Sequence, residues 1–400
     1  MSIIFIGGFF PGNIRNEIED KSKGVIQYAA HAFQENIIKG LDELSDSGIS
    51  IVNLPFIGSY PLRYNDICYH GVGAIEFSTR SRLIDLDFFN LSLIKHLSRF
   101  FSLIKYLLKI NINKSDDFVI YSMHLPFLAA VAIIKKIKKN NNKIYLMVPD
   151  LPEYMSDSKN IAYLFFKKID KVLINFFLKS VDGFILLTEA MGDALALEKN
   201  KYIIVEGVAK SVFDLNAVAN INEHVIFYSG TLAGRYGVRE LIDAFNMIES
   251  DRMELWICGD GDAKMYVQSA AKKNPRIKYL GQIPIERVHK LQSEAAVLIN
   301  PRMPNDDYTK YSFPSKIIEY MASGRPLIMH RLPGVPAEYY EYCFSPRDSS
   351  VDALKCIIED VFYRSRRDLD EVGLRAKNFI SNNKTSTHQA LRILKFMKRV

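Results

Sequence analysis

The sequence predicts an α/β protein of two domains, each a parallel β-sheet covered by helices. Short runs rich in β-branched residues alternate with longer stretches at helical spacing, which is the pattern of parallel sheets. The chain has 400 residues, of which 48% are hydrophobic, more than one core usually organises. Its four cysteines show no CxxC spacing, which favours a reducing cytoplasm over a disulfide or zinc framework.

The predicted strands form two series. The first covers residues 3–7, 117–123, 143–148, 183–188 and 202–207, and the second covers 225–230, 254–259, 277–281 and 296–301. The run 205–224 separates them and is the predicted domain junction. The predicted domains are 1–208 and 209–378, and 379–400 contains a final amphipathic helix that must pack on a domain already formed.

Three glycine-rich turns follow predicted strands: GGFFPG at 7–12, SGTLAGRYG at 229–237 and CGDGDAKM at 258–265. Glycine lets the backbone approach a ligand, and the helix N-terminus that follows offers N–H groups to an anion. The alternative is that these glycines only end strands. Lys264 stands where the dinucleotide fingerprint needs a third glycine, and GxxxxGK[ST] does not occur, so a P-loop ATPase is not predicted.

The stretch YSFPSKIIEYMASGRP at 311–326 predicts a helix that carries Lys316 and Glu319 on one side. Two readings are open. The charges are either a solvated i, i+3 pair, worth about 0.2–0.5 kcal/mol, or a grip on a ligand.

Four motifs in order resemble the nucleotide-sugar domain of the retaining GT-B glycosyltransferases of family 4 (glycosyltransferase group 1), of the bacterial surface-polysaccharide type. They are FYSGTLAGRYGVRELIDAF, LWICGDGD, IKYLGQIPIERVHKLQSEAAVLINP and YSFPSKIIEYMASGRPLI. The resemblance covers about residues 225–345 and extends loosely over the N-terminal half through GGFFPG, YSMHLP, VPDLPEYM and FILLTEAM. It implies two Rossmann-like domains whose parallel sheets face a central cleft, with the C-terminal helix returning to the N-terminal domain.

The resemblance also implies a donor site. Glu319 matches the glutamate that grips the nucleotide ribose, whereas the family's sugar-binding glutamate is replaced here by Tyr311. The usual diphosphate cations fall at Thr231 and Tyr236, so Arg235 and Lys316 are expected to neutralise the leaving diphosphate. The expected donor-binding residues are Gly8, Gly230, Thr231, Arg235, Gly259, Gly261, Tyr311, Ser312, Phe313, Ser315, Lys316 and Glu319.

Two residues at predicted strand ends belong to the first domain. The resemblance implies that His124 lines the site beside the transferred sugar, so the expected catalytic set is His124, Arg235 and Lys316. The alternative for His124 is a helix cap. Asp150 is assigned to the acceptor side, although it is also a good turn or N-cap residue, and Glu153 and Glu189 carry weaker claims.

No metal and no cofactor are expected, the nucleotide-diphosphate sugar being a substrate. Retaining transfer in this family is drawn as front-face attack, in which the leaving phosphate helps to take the acceptor proton. The DLD runs at 85–87 and 368–370 imitate a metal motif without its strand context and are interpreted as chance.

Two amphipathic segments, 91–110 and 163–180, combine apolar residues at helical spacing with lysine and arginine. In the first segment the face opposite the apolar residues is expected to carry Lys95, Arg99, Lys105 and Lys109. Residues 95–143 contain ten Lys/Arg and two Asp, and the whole chain carries a net charge of +7. Such helices favour an anionic membrane surface, although apolar stripes more often face a core. The basic clusters lack interleaved aromatics, so nucleic acid is not predicted.

The sequence thus predicts a glycosyltransferase that uses a nucleotide-diphosphate sugar and a lipid-linked saccharide acceptor in O-antigen-like or capsule-like polysaccharide synthesis. Its expected place is the cytoplasmic face of the plasma membrane, since no basic leader precedes the first apolar run. The alternatives are an inactive relative that binds nucleotide sugar or membrane, and an epimerase of the same fold. A phosphorylase would need a pyridoxal phosphate lysine that the sequence does not identify.

Overall fold

The computed structural model describes residues 2–24, 26–92, 94–151, 161–209, 221–305 and 307–400. The chain divides into two compact units, one formed by Met1–Val208 with Ser386–Val400 and the other by Ala209–Thr385. The predicted α/β class with parallel sheets is confirmed.

Unit 1 is built on an eight-stranded sheet. Its elements are β1 (Ser2–Gly7), α1 (Arg15–Lys21), α2 (Tyr28–Leu44), β2 (Ser50–Asn53), β3 (Cys68–Tyr69), β4 (Gly73–Glu76), β5 (Arg82–Asp85), β6 (Phe88–Phe89), α3 (Lys95–Lys109), β7 (Asp116–Tyr121), α4 (Leu125–Lys138), β8 (Ile144–Val148), α5 (Ile161–Leu178), β9 (Gly183–Leu186), α6 (Glu189–Ala194) and β10 (Tyr202–Ile204). The strand order is β10-β9-β8-β7-β1-β2-β5-β4, parallel except at β4, while β3 and β6 form a separate antiparallel pair.

Unit 2 is built on a five-stranded, fully parallel sheet of order β13-β12-β11-β14-β15. Its elements are β11 (Asn222–Ser229), α7 (Val238–Asn246), β12 (Glu254–Cys258), α8 (Lys264–Lys273), β13 (Ile277–Tyr279), α9 (Ile285–Glu294), β14 (Ala295–Asn300), α10 (Ser315–Ala322), β15 (Leu327–Met329), α11 (Val351–Phe362) and α12 (Arg366–Asn383). Every residue of β14 is buried, because helices cover both faces of the sheet.

The last helix, α13 (Ser386–Arg399), belongs to unit 1, where it packs against α2. The hydroxyl of Tyr145 on β8 donates to the carbonyl oxygen of Met397 at 2.7 Å. The segment that completes unit 1 begins at Ser386 rather than at residue 379. The reason is that Phe379 and Ile380, still on α12, pack into the apolar core of unit 2.

Several strands were not predicted. β2 and β5 have four residues each and β15 has three, so none offers a long apolar run. β2 ends in Asn53, and asparagine has a low propensity for β-strands. Here the Asn53 side chain pairs with the backbone of Phe9, accepting from its N–H at 3.0 Å and donating to its oxygen at 3.1 Å. That tertiary contact offsets the local preference.

Helix α3 turns two of its basic residues into the protein, so the prediction that they lie on its solvent face is wrong. Lys95 and Arg99 are 6% and 2% exposed, and they share the buried side with two leucines. Lys95 Nζ donates to the carbonyl oxygen of Ile57, and Arg99 Nη2 donates to that of Pro55. Loop carbonyls therefore compensate the burial of these polar groups.

The opposite side of α3 exposes apolar side chains. Leu97 and Phe101 are 59% and 62% exposed, and on α5 Val172 and Phe176 are 63% and 60% exposed. Both helices pack against α4. Lys167 lies outside the residues whose side chains are described. In the part of the chain that the structure describes, no helix is both long and apolar enough to cross a bilayer.

Candidate donor site and the residues around it

The site lies at the carboxyl ends of the unit 2 strands, where loops lead into helices. Helix α10 starts at Ser315, after Pro314 in an extended conformation that suits a helix start. Its apolar residues face the core, whereas Lys316 and Glu319 lie on a half-buried side.

Glu319 is the most heavily engaged charged group of this region. Its Oε1 accepts from Lys316 Nζ at 2.7 Å and from Gln292 Nε2 at 2.6 Å, and its Oε2 accepts from Lys316 Nζ at 2.9 Å. His289 Nε2 stands 3.9 Å from Oε1. Burial alone would raise the pKa of Glu319, but Lys316, Gln292 and His289 together hold that pKa below its ordinary value. The carboxylate is therefore ionised at neutral pH.

Lys316 and Glu319 are thus an i, i+3 pair, as the simpler of the two readings states. The structure adds two things to that reading. The side chains are 30% and 23% exposed, which is more buried than an ordinary surface pair, and α9 supplies further partners. A half-buried carboxylate with three donors around it is also arranged as an acceptor for a ligand that brings hydroxyl groups.

A buried polar network fixes α10 to the end of β11. The hydroxyl of Tyr320 donates to the carbonyl oxygen of Ser229 at 2.9 Å and accepts from the Ser229 N–H at 2.8 Å. Gln292 Nε2 stands 3.3 Å from Ser229 Oγ, so Gln292 ties this network to Glu319. The position of the carboxylate is consequently set by the sheet itself.

A second cluster combines two arginines with two tyrosines. The guanidinium carbon of Arg302, after β14, stands 4.7 Å from the ring centre of Tyr308 and 5.3 Å from that of Tyr236. The guanidinium carbon of Arg235 stands 5.3 Å from each of the same two ring centres. Arg302 Nη2 donates to Ser312 Oγ at 2.7 Å, which links the cluster to the loop before α10. The structure thus joins Arg235 to Arg302 through the tyrosines, and Lys316 to Glu319.

The glycines of the two turns in unit 2 serve loop packing. A Cβ on Gly259 (φ 139°) would lie 1.8 Å from the carbonyl oxygen of Gly230, and one on Gly261 would lie 2.4 Å from that of Leu232. The Gly230 N–H donates to the Cys258 carbonyl oxygen at 3.1 Å. These close contacts explain why glycine is required at positions 259 and 261, without any role in ligand binding. Thr231, in the first of these turns, is exposed.

The loop before α10 contains the remaining predicted donor contacts. Tyr311 ends a short 3₁₀ turn, Asp307–Tyr311, and its ring lies 5.0 Å from Lys310 Nζ. Phe313 is buried, its ring 5.3 Å from that of Tyr339, so it anchors the loop. Ser315 is exposed at the first position of α10.

His124 follows β7 and begins α4 through its backbone, since its carbonyl oxygen accepts from the N–H of Phe127 at 3.0 Å. His124 thus occupies the N-cap position of the helix-cap alternative, but its side chain makes no capping hydrogen bond. Its Nδ1 is buried without a hydrogen-bond partner among the described residues. Burial lowers the pKa of His124 well below its ordinary value, and Arg99 and Lys95 lower it further, so the imidazole is neutral.

The other predicted residues of unit 1 differ in their settings. Asp150 is exposed shortly after β8, and Glu153 lies outside the described residues. The Gly8 N–H donates to Gln34 Oε1 at 2.8 Å, and a Cβ on Gly8 would lie 2.7 Å from the ring of Phe56. Gly8 was predicted to contact the donor. In the described structure its N–H group instead makes a hydrogen bond within unit 1.

Two residues of the site were missed from the sequence. Gln292 shares a helical stripe with Val288 and Leu291, and a polar residue on an apolar stripe is a usable signal. Arg302 stands two residues after the end of β14, at a sheet edge that binds ligands. Arg302 lies just outside the resembled motifs, between the one that ends at Pro301 and the one that begins at Tyr311.

The arrangement of parallel sheets and helices in the two units is that of the GT-B fold. A sucrose-phosphate synthase from Thermosynechococcus elongatus is similar over 100% of this chain and 99% of its own, with a TM-score of 0.64 and 16% identity. HepE of Anabaena in complex with UDP matches over 100% of both chains, with a TM-score of 0.62 and 13% identity. The lipopolysaccharide outer core galactosyltransferase WaaB matches over 100% and 99%, with a TM-score of 0.61 and 12% identity.

Within that fold, residues 223–360 match the family model described as "Glycosyl transferases group 1". The matched segment contains both charge clusters and includes the range 225–345 in which the sequence motifs were found. No curated protein matches the chain. The matched domain and the fold together support a GT-B glycosyltransferase.

Proposed function

We propose that the protein is a retaining, metal-independent glycosyltransferase that moves a sugar from a nucleotide-diphosphate donor to a lipid-linked saccharide in surface-polysaccharide synthesis. The ionised, half-buried carboxylate of Glu319 carries this proposal, because it is held at the carboxyl edge of a parallel sheet inside the matched domain. A fixed carboxylate beside a cation suits a ligand that presents both hydroxyl groups and phosphates.

Donor binding would proceed by an exchange of partners. The ribose hydroxyls donate to the Glu319 oxygens that now accept from Lys316, and the released ammonium turns to the diphosphate. Arg302 and Arg235 supply further positive charge, and Ser312 orients Arg302. Uridine is the first base to test, since HepE is described in complex with UDP and with UDP-glucose.

In the proposed transfer, the bond between the anomeric carbon and the diphosphate oxygen breaks while an acceptor oxygen attacks from the same face. The acceptor proton passes to the departing phosphate oxygen, so no protein base of raised pKa is required. The cations stabilise the negative charge that develops on the diphosphate. His124, a neutral imidazole, offers a hydrogen bond to a hydroxyl group of the transferred sugar.

The first experiment is a thermal-shift screen of nucleotide sugars, followed by a donor-hydrolysis assay. At 100 times its dissociation constant the true donor adds about 2.7 kcal/mol to the free energy of unfolding. An active transferase then releases nucleoside diphosphate slowly without acceptor. Stabilisation without any release supports the inactive-relative alternative, and the absence of stabilisation by every nucleotide sugar contradicts both.

The acceptor side of the proposal includes attachment to an anionic membrane surface through α3 and α5. The exposed apolar side chains of both helices are accompanied by exposed lysines, namely Lys105, Lys109, Lys168, Lys171 and Lys179. Apolar side chains would enter the headgroup region while each lysine adds about 1 kcal/mol.

Replacing Leu97 and Phe101 by serine should abolish flotation with liposomes that contain anionic lipid. The two side chains are 59% and 62% exposed, so the change removes insertion without opening a cavity in the core. Met265→Ser, at a site 75% exposed in unit 2, is the matched control and should float like the parent protein. Equal flotation of the double variant and the parent contradicts the proposed surface.

A further inference from the structure

Unit 1 buries two basic side chains next to His124 that no mechanism step above uses. Lys95 and Arg99 lie one turn apart on α3 and are 6% and 2% exposed. Each makes a hydrogen bond to one loop carbonyl oxygen, of Ile57 and Pro55 respectively. Among the described residues, neither forms a salt bridge with a carboxylate. Burying unpaired charge is costly, so such sites in proteins are usually paired or functional.

These basic side chains form one cluster with His124. The guanidinium carbon of Arg99 stands 4.4 Å from the ring centre of Phe88 and 5.5 Å from that of Phe56. The His124 ring centre lies 5.4 Å from the same Phe56 ring and 5.2 Å from that of His96. Arg99 Nε and His124 Nδ1 are both buried without a hydrogen-bond partner in the described chain. We call Lys95, His96, Arg99 and His124 the basic cluster.

The two histidines of the basic cluster lie nearer to solvent than its other two members. His96 is exposed and His124 is partly exposed, while Lys95 and Arg99 lie deeper. A ligand that passes the two histidines thus meets the guanidinium of Arg99, whose Nε has no partner among the described residues, and the amine of Lys95. Phosphate oxygens match this donor set, since arginine and lysine are the usual phosphate ligands.

We propose that the basic cluster is the subsite for a phosphate group carried by the acceptor. This inference rests on the proposed function, because it places a recognition element of the acceptor beside the histidine assigned to catalysis. A phosphate held there supplies the counter-charge that α3 lacks. The basic cluster would also favour acceptors that carry phosphate over neutral saccharides. A neutral saccharide leaves the buried donors of the cluster unpaired, which costs binding free energy.

The protonation of Lys95 gives the inference a measurable signature. Burial, with a smaller contribution from Arg99 and Arg63, lowers the pKa of Lys95 to about 6, so the free protein holds it neutral at pH 8. A bound phosphate dianion favours the ammonium, and binding at pH 8 should therefore take up a proton. The groups that face Lys95 and Arg99 are His96 on α3, His124 at the start of α4, Arg63 in the loop before β3, and Tyr69 on β3.

A purely structural role is the competing explanation. Lys95 and Arg99 would then simply hold the loop at 55–57 through its carbonyl oxygens. That role accounts for one donor of each side chain and leaves Arg99 Nε and His124 Nδ1 unexplained. It also predicts no uptake of protons with any phosphate compound.

The test is calorimetry on the full chain at pH 8 in buffers of different ionisation enthalpy, with UDP present to occupy unit 2. Glucose 6-phosphate probes a soluble phosphate, and vesicles of phosphatidic acid in phosphatidylcholine probe a lipid-borne one. We expect binding of one of these with an uptake approaching one proton per site. Lys95→Met should abolish the uptake and weaken binding about tenfold or more, whereas Lys105→Met, on the exposed side of α3, should change neither for the soluble probe.

The outcomes separate the possibilities. Uptake with glucose 6-phosphate assigns a soluble phosphate, and uptake with the vesicles alone assigns a lipid phosphate. No proton uptake with either probe, or uptake that survives Lys95→Met, overturns the inference. If Lys95→Met fails to fold by circular dichroism, Arg99→Lys replaces it and should weaken binding similarly, since a bidentate donor is lost. UDP binding is measured first on the same sample, so a failure of the donor proposal is seen separately.

Discussion

Glu319→Gln is expected to weaken the binding of UDP-sugar or UDP by about 10- to 100-fold. The amide keeps the shape of the side chain but offers one acceptor oxygen in place of two charged ones, and hydrogen bonds to a charged group are worth about 1.5–3 kcal/mol. Isothermal titration calorimetry with UDP measures the effect.

The matched control for this change is Glu359→Gln on α11. Glu359 forms an i, i+4 pair with Lys355 at 3.9 Å, and both side chains are 29% exposed, close to the values for the pair at the site. Both variants should lower the melting temperature by a similar small amount, and only Glu319→Gln should lose UDP. If the two bind UDP equally well, Glu319 is a structural ion-pair partner and the donor site lies elsewhere.

His124→Ala is expected to lower the rate of sugar transfer by about 100- to 1000-fold while the affinity for UDP stays unchanged. The magnitude is that of losing one preorganised hydrogen bond in a transition state. His124 is on unit 1 and UDP is assigned to unit 2, so the loss should appear in kcat and leave nucleotide binding intact. His124→Asn, which keeps a donor near the same place, should recover part of the rate.

The control for His124 is His224→Ala, at an exposed position near the start of β11. It should transfer sugar at the parental rate. Unaltered turnover in folded His124→Ala would leave that histidine a structural part of the basic cluster. Comparison of thermal unfolding between the two variants excludes loss of folding as the cause of a lower rate.

The fold was predictable because its signal is local. β7 and β8 contain short runs of buried, mainly apolar residues. α7 and α9 repeat apolar residues at helical spacing. Parallel sheets with helices on both sides follow from that alternation. The short edge strands escaped detection because tertiary contacts, such as the pairing of Asn53 with Phe9, stabilise them.

The orientation of α3 was not predictable by the same reasoning. Residues 95, 99, 103 and 107 form the buried stripe, and its first two members are charged. Periodicity assumes that the more apolar side faces the core, yet here carbonyl oxygens and the rings of Phe56 and Phe88 accept the cations. Those partners come from other segments of the chain, so the α3 sequence alone does not contain the information.

The sequence predicted the pair of charged residues on α10, but not the residues from other elements that contact this region. Lys316 and Glu319 stand on one helix, so their proximity follows from helical geometry. Arg302 and Gln292 reach the site from other elements, and their contacts with Ser312 and Glu319 depend on the sheet order. Tyr236, where the resemblance expects a cation, has its ring centre 5.3 Å from the guanidinium carbons of both Arg235 and Arg302.

A crystal structure of the protein with a bound nucleoside diphosphate tests the central claim most directly. We predict both ribose hydroxyls within hydrogen-bond distance of the Glu319 carboxylate, and Lys316 Nζ moved from that carboxylate, now 2.7 Å away, to a phosphate oxygen. A nucleotide bound elsewhere, with the pair between Lys316 and Glu319 intact, would contradict the account.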